Sequence, residues 1–221
     1  SWLDSREGTG QLDAGLPAWI CKVVGGTTVH WAGASLRFQP HEFKARTTYG
    51  QIDGANLLDF PITYDDLADY YTKAENKMGT TGTGGRARLP GNNNYKVLEY
   101  GARKMGYKEV HTGNMSINSK PYDGRPECQQ IGHCMSGCAI GAKWSTMYTE
   151  VPNAEKTGNY EIRPESMVLR INHDRSGKVT GVVYADKNGV THEQKAKVVC
   201  VAGNSIESPR LLLNSESGMF K

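Results

Sequence analysis

VVCVAGNSIESPRLLLN, Val198–Asn214, opens on a continuous apolar run from Val198 that is closed by Gly203. A strand buried on both faces of a parallel sheet reads this way, because helices cover both sides and no position needs to be polar. Cys200 is then a core residue. Ser208 and Pro209 offer an N-cap and a first-turn proline for a helix over Arg210 to Asn214. Strand, glycine turn and helix in succession predict an α/β fold of the nucleotide-binding type, with the Ala202–Gly203 turn at the strand end.

Working back from that stretch, the chain predicts strands. Tyr160–Arg163 and Val168–Asn172 alternate, Val179–Asp186 is β-rich, Lys187-Asn188-Gly189 is a hairpin turn and Val190–Ala196 returns, which together make a β-meander. Before it, a helix is expected from Trp144 to Thr157, stopped by Gly158. Further upstream Leu67, Tyr70, Tyr71, Ala74 and Met78 recur at helical spacing, which predicts a helix over Tyr64–Met78 with these five on its core face. Thr63 and Asp66 form its capping box. The following GTTGTGGRA satisfies G-x-G-x-x-A through Gly82, Gly84 and Ala87, but it leaves a helix and runs into a proline, so it reads as a flexible loop. A second helix, Tyr95 to about Met105, packs against the first. EVHTGNMSINS, from Glu109, is strand-like.

Two irregular stretches carry the chemistry. CQQIGHCMSGC, Cys128–Cys138, holds three of the chain's five cysteines. Thiolates this close converge on something, as in iron-sulfur loops, although C-x5-C-x3-C departs from the ferredoxin run. Three ligands suit a 3Fe-4S cluster. Zinc with His133 as fourth ligand, or a disulfide with one free thiol, are the other readings. The second stretch is CKVVGGTTVHWAG, from Cys21. Gly25 and Gly26 let backbone approach a ligand closely, and Thr27 and Thr28 bring hydroxyls and amides for phosphate or ring polar atoms. A plain glycine turn fits the same residues.

Composition excludes little beyond the extremes. A formal charge of +3 with no basic run points to neither nucleic acid nor an anionic membrane as partner. No apolar run reaches the length of a membrane span, and SWLDSREGTG lacks a signal pattern.

Taken in order, GGTTVHWAG, DFPITYDDLADYYTKAE and VVCVAGNSIESPRLLLNS resemble the glucose-methanol-choline oxidoreductases, FAD-dependent enzymes acting on alcohols and sugars. PYDGRPECQQIGHCMSGCAIGA makes the likeness strongest to the cytochrome-linked sugar and sugar-acid dehydrogenases. That resemblance implies a 3Fe-4S cluster on Cys128, Cys134 and Cys138, and an FAD lined by Gly25, Gly26, Thr27, Thr28, His30, Val168, Ala202 and Gly203. It makes His30 a candidate for a covalent bond to the flavin. It also implies an alcohol or sugar substrate, a cytochrome c subunit or quinone as acceptor, and a periplasmic enzyme held at the membrane through a partner. The family's N-terminal G-x-G-x-x-G and its C-terminal histidine are not in this sequence, so the chain reads as a central fragment and no catalytic residue is assigned. The implied fold is α/β: a partial Rossmann-like FAD-binding sheet contributed by residues 1–45 and 145–221. It is interrupted by a substrate-side α+β region, 46–144, which carries the cysteine loop.

Overall fold

The computed structural model describes residues 21–220. The chain divides into two compact units, one ending at Asn159 and one beginning at Tyr160.

The first unit contains α1 (Ala45–Tyr49), α2 (Tyr64–Met78), α3 (Asn93–Lys104) and α4 (Glu150–Glu155). The α2 helix starts as predicted: the Thr63 hydroxyl accepts from the Asp66 amide while the Asp66 carboxylate accepts from the Thr63 amide and hydroxyl, and left-handed Gly79 ends it. Its inward face differs from expectation. Tyr70 and Ala74 are exposed, whereas Glu75 is buried because Arg37 grips it with two bonds of 2.7 Å. The α3 helix is capped by Asn92, whose side chain accepts from the Tyr95 amide at 2.9 Å. Only Glu150–Glu155 of the expected Trp144–Thr157 helix is α-helical. The residues before it are held otherwise: Trp144 donates to the Ser116 carbonyl, and the Thr146 amide to the Thr28 hydroxyl.

EVHTGNMSINS forms no full strand. Its centre is nevertheless extended and bonded on both sides, with antiparallel bridges Ala34↔Met115 and Ile117↔Lys143. Each flanking segment pairs for too few residues to make a ladder. Among the described residues Phe43, Ile117 and Ala142 are the buried apolar ones, and Thr80, Thr81, Ser116, Asn118 and Ser145 are buried as well. Hydrogen bonds therefore organise this interior as much as apolar packing does. The Ser116 hydroxyl, for example, meets those of Ser35 at 2.6 Å and Thr80 at 2.9 Å.

The second unit is the meander, β1 (Met167–His173), β2 (Val179–Ala185) and β3 (Thr191–Lys195), antiparallel in that order, with α5 (Asn204–Leu213) packed on β1. Asp174 and Asp186 make the two turns, each accepting backbone N–H groups from residues two and four positions on. Tyr160–Arg163 is not a strand.

The Val198–Gly203 run is not a strand either, and Cys200 is exposed instead of core. A parallel strand exists only beside neighbours that complete its ladder, and the one sheet among the described residues is antiparallel. The helix after it begins earlier than expected. Asn204, at φ 75°, accepts the amides of Ile206 and Glu207 with its side chain and so starts α5, which leaves Pro209 inside the helix. Ser208, read as the cap, accepts the Gly203 amide at 3.0 Å.

Candidate functional site

The glycine pair divides its work. Both residues have positive φ, 93° for Gly25 and 59° for Gly26, and the chain then enters a 3-10 turn, Gly26–Val29. A Cβ on Gly25 would stand 2.7 Å from the Met147 Cβ, while one on Gly26 would meet nothing within 4 Å. Gly25 is thus required by packing, and Gly26 presents bare backbone to open space. The Thr28 hydroxyl donates to the Gly25 carbonyl at 2.6 Å and accepts from the Thr146 amide at 3.2 Å. It fastens the loop, so the side chain in this turn open to a ligand is that of exposed Thr27.

His30 faces the other stretch. Its Nδ1 lies 3.0 Å from the Met135 carbonyl, in the 3-10 turn Cys134–Ser136. A carbonyl can only accept, so Nδ1 is the donor in this bond, and Nε2 is the ring nitrogen not engaged in it.

The cysteine loop hangs from the central extended segment, with the Cys128 amide donating to the Asn118 carbonyl at 2.9 Å. Gln130, Gly132, Gly137 and Gly141 all have positive φ, and this irregular path keeps Cys128, Cys134 and Cys138 half-buried. All three are free thiols, so the disulfide reading fails on the described residues. Two sulfurs already accept backbone N–H bonds, Cys128 from Gln130 at 3.3 Å and Cys138 from Lys143 at 3.5 Å. Burial pushes the Cys134 thiol up, and its neighbours Cys128 and Cys138 push it the same way. Among the described residues no three His, Cys, Asp or Glu side chains are placed to hold one metal ion, and His133 is exposed. Zinc with His133 as fourth ligand therefore has no geometric support.

Two buried cations flank the loop, and neither is legible from residue spacing. Lys143 is fully buried, and its ammonium donates to three carbonyls, Val29 at 2.8 Å, Trp31 at 2.6 Å and Cys134 at 2.6 Å. Arg125, 5% exposed, donates to the carbonyls of Ala142 and Met78. Burial lowers the pKa of both, and neither has a carboxylate in salt-bridge contact among the described residues. Buried positive charge ordinarily comes with a counter-charge. Thiolates at Cys134 and Cys138 would supply it to Lys143, whereas Arg125 draws first on the Asp123 carboxylate and only then on Cys138. The donor set fits an anionic group held by the three cysteines.

The remaining expected contacts lie in the second unit. Val168 is half-buried in β1 opposite Tyr184, next to an irregularity in the ladder. Ala202 is exposed, and Gly203 caps α5.

Comparison with known proteins gives these features a context. The chain is 36% identical to the fructose dehydrogenase large subunit of Gluconobacter japonicus, over 88% of this chain and 37% of that protein. It is 32% identical to the 6'''-hydroxyparomomycin C oxidase of Streptomyces lividus, over 96% of this chain and 41% of that one. With the gluconate 2-dehydrogenase flavoprotein of Pantoea cypripedii the identity is 26%, over 94% and 40% respectively. The matched part thus spans about two fifths of the length of these relatives. Residues 9–221 match the GMC oxidoreductase profile, and the chain belongs to that family.

Proposed function

We propose that the chain is part of an FAD-dependent dehydrogenase that oxidises a CH–OH group of a sugar, sugar acid or alcohol. In this reading electrons leave through a 3Fe-4S cluster on Cys128, Cys134 and Cys138 to a cytochrome or quinone. FAD supplies a two-electron acceptor for hydride, and the cluster a one-electron carrier. Each substrate then needs two single-electron passes to the acceptor. Family membership supports FAD, and the names of the fructose and gluconate relatives support the substrate class. The observation that carries the relay is the His30–Met135 bond, which joins the Gly-Gly loop to the turn that begins at Cys134.

The chain's own residues have separable tasks. Gly26 and Thr27 admit the flavin, Gly25 and Thr28 hold that loop against Thr146 and Met147, and His30 Nε2, the ring nitrogen not bonded to Met135, is the atom from which a covalent bond to the flavin would form. Residues 1–45 and 145–221 serve FAD, the latter through Val168, Ala202 and Gly203, while 46–144 serve the substrate side and the relay. Delivery to a cytochrome or quinone suits an enzyme at the periplasmic face of a membrane, attached through a partner. Among the described residues no helix is long and apolar enough to cross one.

The 6'''-hydroxyparomomycin C oxidase relative favours a second reading, in which reduced flavin passes both electrons to oxygen and the cysteines are structural or zinc-binding. Turnover of the full-length enzyme separates the two. Anaerobic reduction of a dye acceptor, with little peroxide formed in air, is expected. Peroxide formed one-for-one with oxidised substrate would replace the dehydrogenase by the oxidase.

A further inference from the structure

We infer that Lys143 is a positioning residue that locks the Gly-Gly loop onto the cysteine loop and supplies the fixed positive charge that favours electron entry into the cluster. The inference rests on the proposal that Cys128, Cys134 and Cys138 hold that cluster. An ammonium has three N–H donors, and in Lys143 each has its own carbonyl: Val29, Trp31 and Cys134. Val29 and Trp31 are the two neighbours of His30, and Cys134 precedes Met135, which the His30 ring meets. One side chain thus fixes both ends of the short segment that carries His30, and fixes it to the residue that bears a cluster thiolate. The same lysine donates its main-chain N–H to the Cys138 sulfur at 3.5 Å, so it touches two of the three cysteines.

The arrangement has little room for substitution. Lys143 is fully buried, its backbone is bridged to Ile117, and its stem lies 3.6 Å from where a Cβ on Gly33 would stand. A lysine whose only role was to tie three carbonyls could be replaced by any donor of similar reach. The fixed charge is the distinguishing property. Accepting an electron makes the cluster more negative, and a nearby buried cation with no carboxylate in salt-bridge contact among the described residues stabilises that state.

The test compares full-length wild-type enzyme with Lys143→Gln, which keeps two N–H donors on a shorter side chain and removes the charge, and Lys143→Arg, which keeps the charge and the donors. Iron and acid-labile sulfide per flavin are measured first, then the cluster's midpoint potential by a redox titration followed by electron paramagnetic resonance. Lys143→Gln is expected to keep its cluster and lower the equilibrium constant for cluster reduction about tenfold, a fall of about 59 mV for a one-electron couple. Lys143→Arg should recover most of that. A Gln variant with cluster content and potential both equal to wild type would overturn the inference. If Gln loses the cluster and Arg keeps it, the charge requirement stands; if both lose it, fit and not charge is what the site demands, and the inference falls. Wild-type enzyme without iron and sulfide would instead remove the underlying cluster reading.

Discussion

Replacing the two glycines separately should produce different failures. In Gly25→Ala the new methyl would stand 2.7 Å from the Met147 Cβ, 2.9 Å from a Val29 methyl and 3.2 Å from the Met147 backbone nitrogen. Backbone cannot give way as a flexible side-chain tip can, so overpacking costs about 1–3 kcal/mol. The left-handed conformation at φ 93° adds about 1–2 kcal/mol. A total near 3 kcal/mol corresponds to a fall in melting temperature of roughly 6–12 °C for a unit of this size. In Gly26→Ala only the left-handed cost applies, about 1–2 kcal/mol, because its methyl would meet no protein atom within 4 Å. A flavin approaching that backbone would meet the methyl, so this variant should lose most of its FAD while its flavin-free form melts only a few degrees lower. The assay is thermal unfolding of the deflavinated full-length variants, paired with flavin content after purification. Equal melting shifts for the two would refute the packing argument, and full FAD content in Gly26→Ala would refute close approach at that glycine.

Four further outcomes are expected. Thr63→Ala should destabilise α2 by about 1 kcal/mol by removing its cap, as read by chemical denaturation. Asp66, held below the usual carboxylate range by the Thr63 amide and hydroxyl, contributes stability that is present above its unfolded pKa and lost as pH falls through its lowered one, so an Asp66→Asn variant should show a weaker acid dependence than wild type. Glu75→Ala strands the half-buried Arg37 guanidinium, whose pKa the Glu75 hydrogen bonds hold above its ordinary value, and should cost about 3 kcal/mol; a loss below 1 kcal/mol in urea unfolding would mean the pair contributes no more than a surface one. Cys134→Ser should slow electron delivery to an external cytochrome while flavin reduction by substrate persists, and equal loss of both steps in stopped-flow would mark the cysteine as structural.

What could be read from the sequence was local. The Thr63–Asp66 box, the 3.6-residue period and Gly79 fix α2, and the β-rich stretches about the Gly189 turn mark the three strands of the meander though not Tyr160–Arg163, because each signal acts within a few residues. The Val198 run misled because its pattern reports what a strand would need from neighbours, and no partner strand for it is present among the described residues. The inward turn of α2 at Glu75 depends on Arg37, thirty-eight positions away, which no helical period encodes. The cysteine loop was recognisable from spacing. Its buried cations were not, since Lys143 and Arg125 find their partners among backbone carbonyls, which every residue except for its side chain presents alike.

In the proposed function three thiols of one irregular loop hold a redox cluster beside the flavin. The most direct test of this reading is metal and acid-labile sulfide analysis of anaerobically purified full-length enzyme, normalised to flavin and compared with Cys128→Ser, Cys134→Ser and Cys138→Ser. About three irons and four sulfides per flavin in the wild type, with loss in each variant, is the predicted result. One equivalent of zinc without sulfide, or wild-type iron content that survives all three substitutions, would contradict it.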